Sequence, residues 1–114
     1  MPLVSLTTNS PALENHSADL LAKLSSTVAD MLSKSERFVM VKIDHNPDML
    51  FAGSSAPLAY VELKSIGLPA DETKAFSARL CKVIADVTGV FPDRIYIEFA
   101  DARREAWGWN SSTF

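Results

Sequence analysis

The chain has 114 residues, enough for one domain spanning 1–114 with a single modest core. Apolar residues make up 47% and charged residues 22%, an ordinary folded composition, and a net charge of −3 without any basic run excludes the clustered Lys/Arg footprint of a nucleic-acid binder. No apolar stretch nears the roughly 18 residues of a membrane span, the start lacks the layout of a signal peptide, and the lone Cys81 excludes an internal disulfide or a CxxC pair, so a reducing cytoplasm is the expected setting.

The chain opens Met1-Pro2-Leu3-Val4-Ser5-Leu6. Pro2 has two readings. It starts an edge strand, where a missing N–H does no harm. Alternatively, Met1 is cleaved, as is common before a small residue, and Pro2 carries a free secondary amine at the tip of a strand. A helical pattern follows, with Leu20, Leu21, Leu24, Val28, Met31 and Leu32 on one face. Ser10-Pro11 is a candidate start, as N-cap and first-turn proline, and Asn15 to Ser17 is another. Glu36-Arg37-Phe38-Val39-Met40-Val41-Lys42-Ile43-Asp44 then reads as a strand, closed by the turn His45-Asn46-Pro47-Asp48.

The second half repeats the first. A strand begins near Pro57-Leu58, as one began at Pro2-Leu3. Phe76, Leu80, Val83, Ile84 and Val87 share a helix face, with Asp71 as expected N-cap and Gly89 as expected stop. Asp93-Arg94-Ile95-Tyr96-Ile97-Glu98-Phe99-Ala100-Asp101 echoes the strand that starts at Glu36. Strand–helix–strand, twice, predicts an α+β two-layer sandwich: a tandem βαβ repeat with two right-handed crossovers and two helices on one face of a four-stranded mixed sheet. Apolar residues recur on both sides of the strands, in Phe38 and Met40 against Val39, Val41 and Ile43, and in Leu58 and Tyr60 against Ala59, Val61 and Leu63. Two helices cover one face, so a homo-oligomer is expected to cover the other.

Four stretches carry a resemblance. They are Met1-Pro2, the loop Phe51-Ala52-Gly53-Ser54-Ser55-Ala56-Pro57, the turn Ser65-Ile66-Gly67, and the tail that runs from Pro92-Asp93-Arg94-Ile95-Tyr96-Ile97 to Gly108-Trp109-Asn110-Ser111-Ser112-Thr113-Phe114. Together they resemble the macrophage migration inhibitory factor family of the tautomerase superfamily, end to end. The resemblance implies a homotrimer with active sites at subunit interfaces. It also implies a keto–enol tautomerase for phenylpyruvate-like enolisable carbonyls that needs no metal and no cofactor. Pro2, freed of Met1, matches the catalytic base. A free α-amine titrates near ~7.7–8.0, and burial or a nearby cation lowers that value.

The other pocket residues come from the same resemblance. Lys34 matches a fixed cation for substrate carboxylate or enolate charge; by itself it reads as a lysine closing the first helix. Ile66 matches a residue whose backbone N–H points at substrate, with Ser65 beside it. Tyr96 matches a phenol reaching in from the neighbouring subunit. Phe38, Trp107, Trp109 and Phe114 match aromatic walls, though the tail and Trp109 could equally pack on a neighbour. Phe38 replaces a tyrosine, Trp107 a smaller aliphatic residue, and Glu98 an asparagine. A carboxylate at Glu98 would raise the amine pKa and repel an anionic substrate, so weaker activity than in animal members is expected. Leu58-Ala59-Tyr60-Val61 stands where some members carry CxxC, so their thiol chemistry has no basis here. The alternative function is a cytokine-like interaction protein, secreted without a leader, whose receptor the sequence does not reveal.

His16 and His45 lack metal-ligand spacing and read as surface residues. Cys81 reads as a small packed residue on the second helix.

Overall fold

The computed structural model describes residues 1–114. Strand β1 (Leu3–Thr8) leads to helix α1 (Leu13–Met31), a 3-10 turn at Glu36–Phe38 and strand β2 (Met40–His45). Strand β3 (Ala59–Ile66) leads to a 3-10 turn at Ala70–Glu72, helix α2 (Thr73–Thr88), a 3-10 turn at Pro92–Arg94 and strand β4 (Ile95–Ala102). The sheet order is β2-β1-β3-β4; β1 runs parallel to β2 and antiparallel to β3, and β3 runs parallel to β4. The predicted α+β plan and its internal repeat are therefore present. A short C-terminal hairpin, β5 (Gly108–Trp109) with β6 (Ser112–Thr113), lies outside that repeat.

The core forms between one sheet face and the two helices. Val4 and Leu6 from β1, and Val61 and Leu63 from β3, are fully buried against Leu20, Leu24 and Val28 of α1 and Leu80 and Ile84 of α2. Alternation along each strand sends these residues to one side. Leu21 departs from the predicted helix face and stays 37% exposed. Cys81 packs at the edge of this core, and burial pushes its thiol up, as expected of a packed rather than a reactive cysteine.

Both helix starts differ from expectation. Neither helix has a side-chain cap: Ala12 precedes α1 and Glu72 precedes α2. Ser10 does not cap α1, and Asn15 to Ser17 lie inside it. Backbone carbonyls of Ser10 and Pro11 instead take the N–H groups of Leu13 and Glu14, at 3.3 Å each. Asp71 sits in the 3-10 turn that feeds α2 and caps nothing. Gly89 does end α2, in the left-handed region at φ 75°, with its N–H donating to the Ala85 carbonyl.

The Ser10 hydroxyl has a longer-range task. It donates to the Thr88 carbonyl at 2.9 Å, tying the exit of β1 to the end of α2, and it is buried. Ser10→Ala leaves that carbonyl short of a donor. The expected cost is about 1 kcal/mol, read as a lower urea midpoint with unchanged slope at fixed protein concentration.

The open face of the sheet corrects the two-sided apolar reading. Phe38 ends a 3-10 turn and Leu58 precedes β3, so neither belongs to a strand. Within the strands, register and alternation give the open face Met40, Lys42 and Asp44 of β2 beside Leu3, Ser5 and Thr7 of β1. The same face carries Tyr60, Glu62 and Lys64 of β3 beside Tyr96, Glu98 and Ala100 of β4. It is largely polar and supports no burial argument for an oligomer.

Candidate active site

Pro2 stands at the head of β1. Its side chain is fully buried, and its carbonyl accepts from the Met40 N–H at 3.0 Å. A proline here forfeits no ladder bond, because pairing in β1 begins at Leu3. Pro2, Leu3 and Met40 floor a cavity of about 380 Å³, with Phe38, Trp107 and Phe114 among its walls. A larger cavity of about 600 Å³ lies at the opposite end of the strands, lined by Asn9, Glu14, Ser17 and His45. Asn9 is already committed there: its Nδ2 donates to the Ser55 carbonyl and its Oδ1 accepts from the Leu58 N–H.

The aromatic wall is built by the C-terminal hairpin. Asn110 and Ser111 occupy the left-handed region at φ 52° and 63°, as a two-residue turn between twisted strands requires. That turn lays Trp109 on Phe114, stacked with centroids 5.2 Å apart and planes 10° apart. Phe38 meets both edge-on, at 5.5 Å and 6.1 Å. Each such pair adds about 0.5–1.5 kcal/mol beyond area burial. Trp109, for which the sequence left two readings, thus joins the wall of the Pro2 cavity within its own chain.

Cations gather at this cavity. Helix α1 ends with Ser33 in the left-handed region at φ 51°, and the Lys34 N–H closes back on the Ala29 carbonyl at 3.0 Å. Burial first, and then the charges of Lys34 and Arg104, hold the α-amine at Met1 below the ordinary amine value. The backbone of Lys34 thus closes the helix end while its charge acts on the N-terminal amine. Arg37 also lines the cavity, with its guanidinium carbon 5.1 Å from the centre of the Phe38 ring. Sequence reasoning missed Met40, Arg37 and Arg104. Arg37 carried one usable signal, its correspondence with Arg94 in the repeat.

The remaining expected residues divide in two. The antiparallel register pairs Leu3 with Lys64. Continued outward, it sets Ser65 beside Pro2 and Ile66 beside Met1. Ser65 is fully buried, and its hydroxyl donates to the Ile66 carbonyl at 3.2 Å. Neither side chain lines the cavity. Tyr96 and Glu98 lie on edge strand β4, across β3 from β1, and the register sets them level with Thr7 and Ser5 rather than with the head of β1, so one chain does not bring them to Pro2. There the Tyr60 hydroxyl lies 3.1 Å from Glu62 Oε1 and 3.3 Å from Glu98 Oε2. Desolvation, followed by hydrogen bonding and charge from Glu62 and then Glu98, pushes the Tyr60 phenol up to about 12.

Arg94 organises the loop from Phe51 to Pro57. Its guanidinium donates to four carbonyls: Pro57 from Nε at 3.0 Å, Phe51 from Nη1 at 3.2 Å, and Ser54 and Ala56 from Nη2 at 3.0 Å each. The Phe51 ring in turn packs on Tyr96, centroids 4.6 Å apart.

Comparison with known proteins bears on the whole chain. A family model described as macrophage migration inhibitory factor matches residues 1–114. A macrophage migration inhibitory factor homolog of Trichuris trichiura is 37% identical over 115 residues, covering 100% of both chains. Among solved structures, a homologue from Prochlorococcus marinus superposes with TM-score 0.91 at 40% identity, covering 98% of each chain. The macrophage migration inhibitory factor of Trichinella spiralis gives TM-score 0.92 at 32% identity, over 98% of this chain and 99% of that one.

Proposed function

Since the chain belongs to the macrophage migration inhibitory factor family, we propose that it is a cofactor-independent keto–enol tautomerase of phenylpyruvate-like acids, with Pro2 as its general base and acid. The observation that carries this reading is a buried Pro2 at the floor of an aromatic-walled cavity, where cations and burial depress the N-terminal amine.

The chemistry follows from the proton inventory. With Met1 attached, the Pro2 nitrogen is a tertiary amide and takes no proton. Once Met1 is removed, it is a secondary amine in surroundings that disfavour its charged form. The neutral amine abstracts a proton from the carbon beside the substrate carbonyl, and the electron pair moves onto the carbonyl oxygen. Lys34 offsets the substrate carboxylate or the enolate. The protonated amine then returns its proton to oxygen, giving the enol; in reverse it reprotonates carbon. The backbone N–H of Ile66, with Ser65 behind it, is the proposed donor to bound substrate. Phe38, Trp107 and Phe114 hold the aryl group.

The assembly is proposed as a homotrimer. β2 and β4 are both sheet edges with unpaired backbone groups, which a neighbouring copy can take. In such an assembly Tyr96 and Glu98 come from the adjacent subunit. Two carboxylates, Glu98 and Glu62, face each other across β3 and β4; Lys64 pairs with Glu62 at 3.6 Å, so Glu98 is the one left without a cation. Glu98→Asn is therefore expected to raise kcat/KM for phenylpyruvate by roughly threefold to tenfold, as one like charge leaves a half-solvated anion site. Equal or lower activity in the variant counts against a role for Glu98.

The defining test is exchange of the substrate α-protons. Protein shown by intact mass to lack Met1 is mixed with phenylpyruvate in D2O, and the methylene signal is followed by NMR. Protein-dependent loss of that signal is expected; an unchanged rate rejects the reading. The alternative, a cytokine-like interaction protein with an incidental proline pocket, draws on the names of the relatives. It is favoured if exchange is absent while the fold and assembly are intact.

A further inference from the structure

The charge around the Pro2 cavity exceeds what one carboxylate needs. The chain has eleven Lys and Arg residues against fourteen Asp and Glu. Six of the eleven lie within ion-pair distance of a carboxylate: Lys23, Lys42, Lys64, Arg79, Lys82 and Arg103. Arg94 is committed to loop carbonyls, and Lys74 stands on α2 away from the cavity lining. The three left, Lys34, Arg37 and Arg104, all bear on the Pro2 cavity: Arg37 lines it, and the other two act on the amine at its floor.

Within one chain no acidic side chain lines that cavity, and the adjacent subunit's proposed contribution there is the single carboxylate of Glu98. The two carboxylates nearest in sequence are turned elsewhere. Glu36 accepts from the Ser25 hydroxyl of α1 at 2.8 Å, and Glu105 holds Arg103. Arg104 donates from Nε to a main-chain carboxylate oxygen of Phe114, the last residue, at 3.2 Å, which partly offsets its charge and leaves its remaining N–H groups. Arg37 rests over the Phe38 ring, so its guanidinium is pre-oriented at the cavity rim and not free to wander. Of the four cations with neither a carboxylate side-chain partner nor the Arg94 loop role, three, Lys34, Arg37 and Arg104, thus bear on one apolar cavity, and the fourth is Lys74.

We infer that the cavity is built for a substrate with two anionic groups: an enolisable keto acid that carries a second carboxylate or comparable anion remote from the reacting end, taken by Arg37. The inference rests on the reading of the Pro2 cavity as the reacting site. Lys34 and Arg104, close to the N-terminal amine, meet the α-keto carboxylate. The aromatic wall holds the body of the substrate between the two ends. Arg37, the rim cation, meets the distal anion.

The test uses binding alone. Trp107 and Trp109 are the only tryptophans of the chain, and both line this cavity, so intrinsic emission reports on its occupancy. Phenylacetate, with one carboxylate, and 4-carboxyphenylacetate, with two, are titrated at low ionic strength. The dianion is expected to bind about fivefold tighter, the size of one solvent-exposed ion pair. That preference should shrink as salt is added. Arg37→Gln should bring the ratio of the two dissociation constants close to one, whereas Arg37→Lys, which keeps the charge and loses the ring stack, should keep most of it. Equal affinities in the parent protein, a preference that survives Arg37→Gln, or no emission change with either probe overturns the inference. Turnover is not involved, so a dianion preference without α-proton exchange sinks the catalytic reading alone. Exchange without the preference sinks only this one.

Discussion

Replacing Pro2 with glycine is expected to lower kcat/KM for the proposed phenylpyruvate tautomerisation by about 10²–10⁴-fold, the usual span of a lost general acid–base group. Glycine is the informative substitution because it also permits removal of Met1. The variant keeps a free α-amine and loses the ring that fixes the nitrogen at the cavity floor. Circular dichroism and sedimentation of the variant check that the fold and assembly persist; retention of more than a tenth of the activity would defeat the assignment. The pH profile supplies a second readout. On the proposed mechanism the neutral amine is the base, so activity is expected above the amine pKa and is expected to fall away as pH drops through it. Burial, Lys34 and Arg104 depress the amine at Met1, and on the proposed mechanism a Pro2 amine exposed by loss of Met1 is expected to feel the same charges. The acid limb of kcat/KM is therefore expected below the ordinary amine value. Lys34→Gln removes one depressing charge, which moves that limb to higher pH, and it also raises KM. A limb that does not move excludes Lys34 as a partner of the base.

The parts of the fold written in periodicity were legible, and the parts written in distant contacts were not. Leu20, Leu24 and Val28, and Phe76, Leu80 and Ile84, mark the helices because burial of one face is a local pattern. The repeat pairs Arg37 with Arg94, but both sit in 3-10 turns before β2 and β4 where the sequence reads strand. Ser10 looked like a cap because caps are read from neighbours in sequence, yet its hydroxyl is claimed by Thr88 from the other half of the chain. The sheet's outer face is not legible from composition because Phe38 and Leu58 only adjoin the strands; the alternation within them carries Lys42, Glu62 and Glu98 outward.

The site was less legible still. No spacing rule marks Pro2, and the aromatic wall depends on a hairpin turn formed by Asn110 and Ser111 rather than by glycine. Family resemblance singled out these residues, and geometry then joined Phe38, Trp107 and Phe114 to Pro2. Arg37 escaped notice for a physical reason: a lone arginine before a strand reads as a solvated charge. Only its missing ion-pair partner and its seat over Phe38 distinguish it.

Arg94→Met should destabilise the protein by about 3 kcal/mol, and Arg94→Lys should recover little of that. Hydrogen bonds from a charged donor contribute about 1.5–3 kcal/mol each. Arg94 makes four of them, but three lie in exposed surroundings where water replaces part of the loss. A lysine ammonium is a point charge with three donors and cannot span four carbonyls as a planar fork does. Apart from Arg94, the loop is held by the Phe51–Ser54 backbone pair, the Ala56 N–H on Ser54 Oγ and the Asn9 contacts to Ser55 and Leu58, while Ala52 and Gly53 both turn through positive φ. The measurement is the urea midpoint at fixed protein concentration, with limited proteolysis between Phe51 and Pro57 as a local probe. A midpoint equal to that of the parent protein would show that the loop stands without its arginine. The consequence reaches function, because Phe51 braces Tyr96. If Tyr96 serves the cavity of an adjacent subunit, Arg94→Met raises KM at temperatures where the fold is still intact. Arg94→Met combined with Phe51→Ala then raises it no further, since both changes release the same phenol.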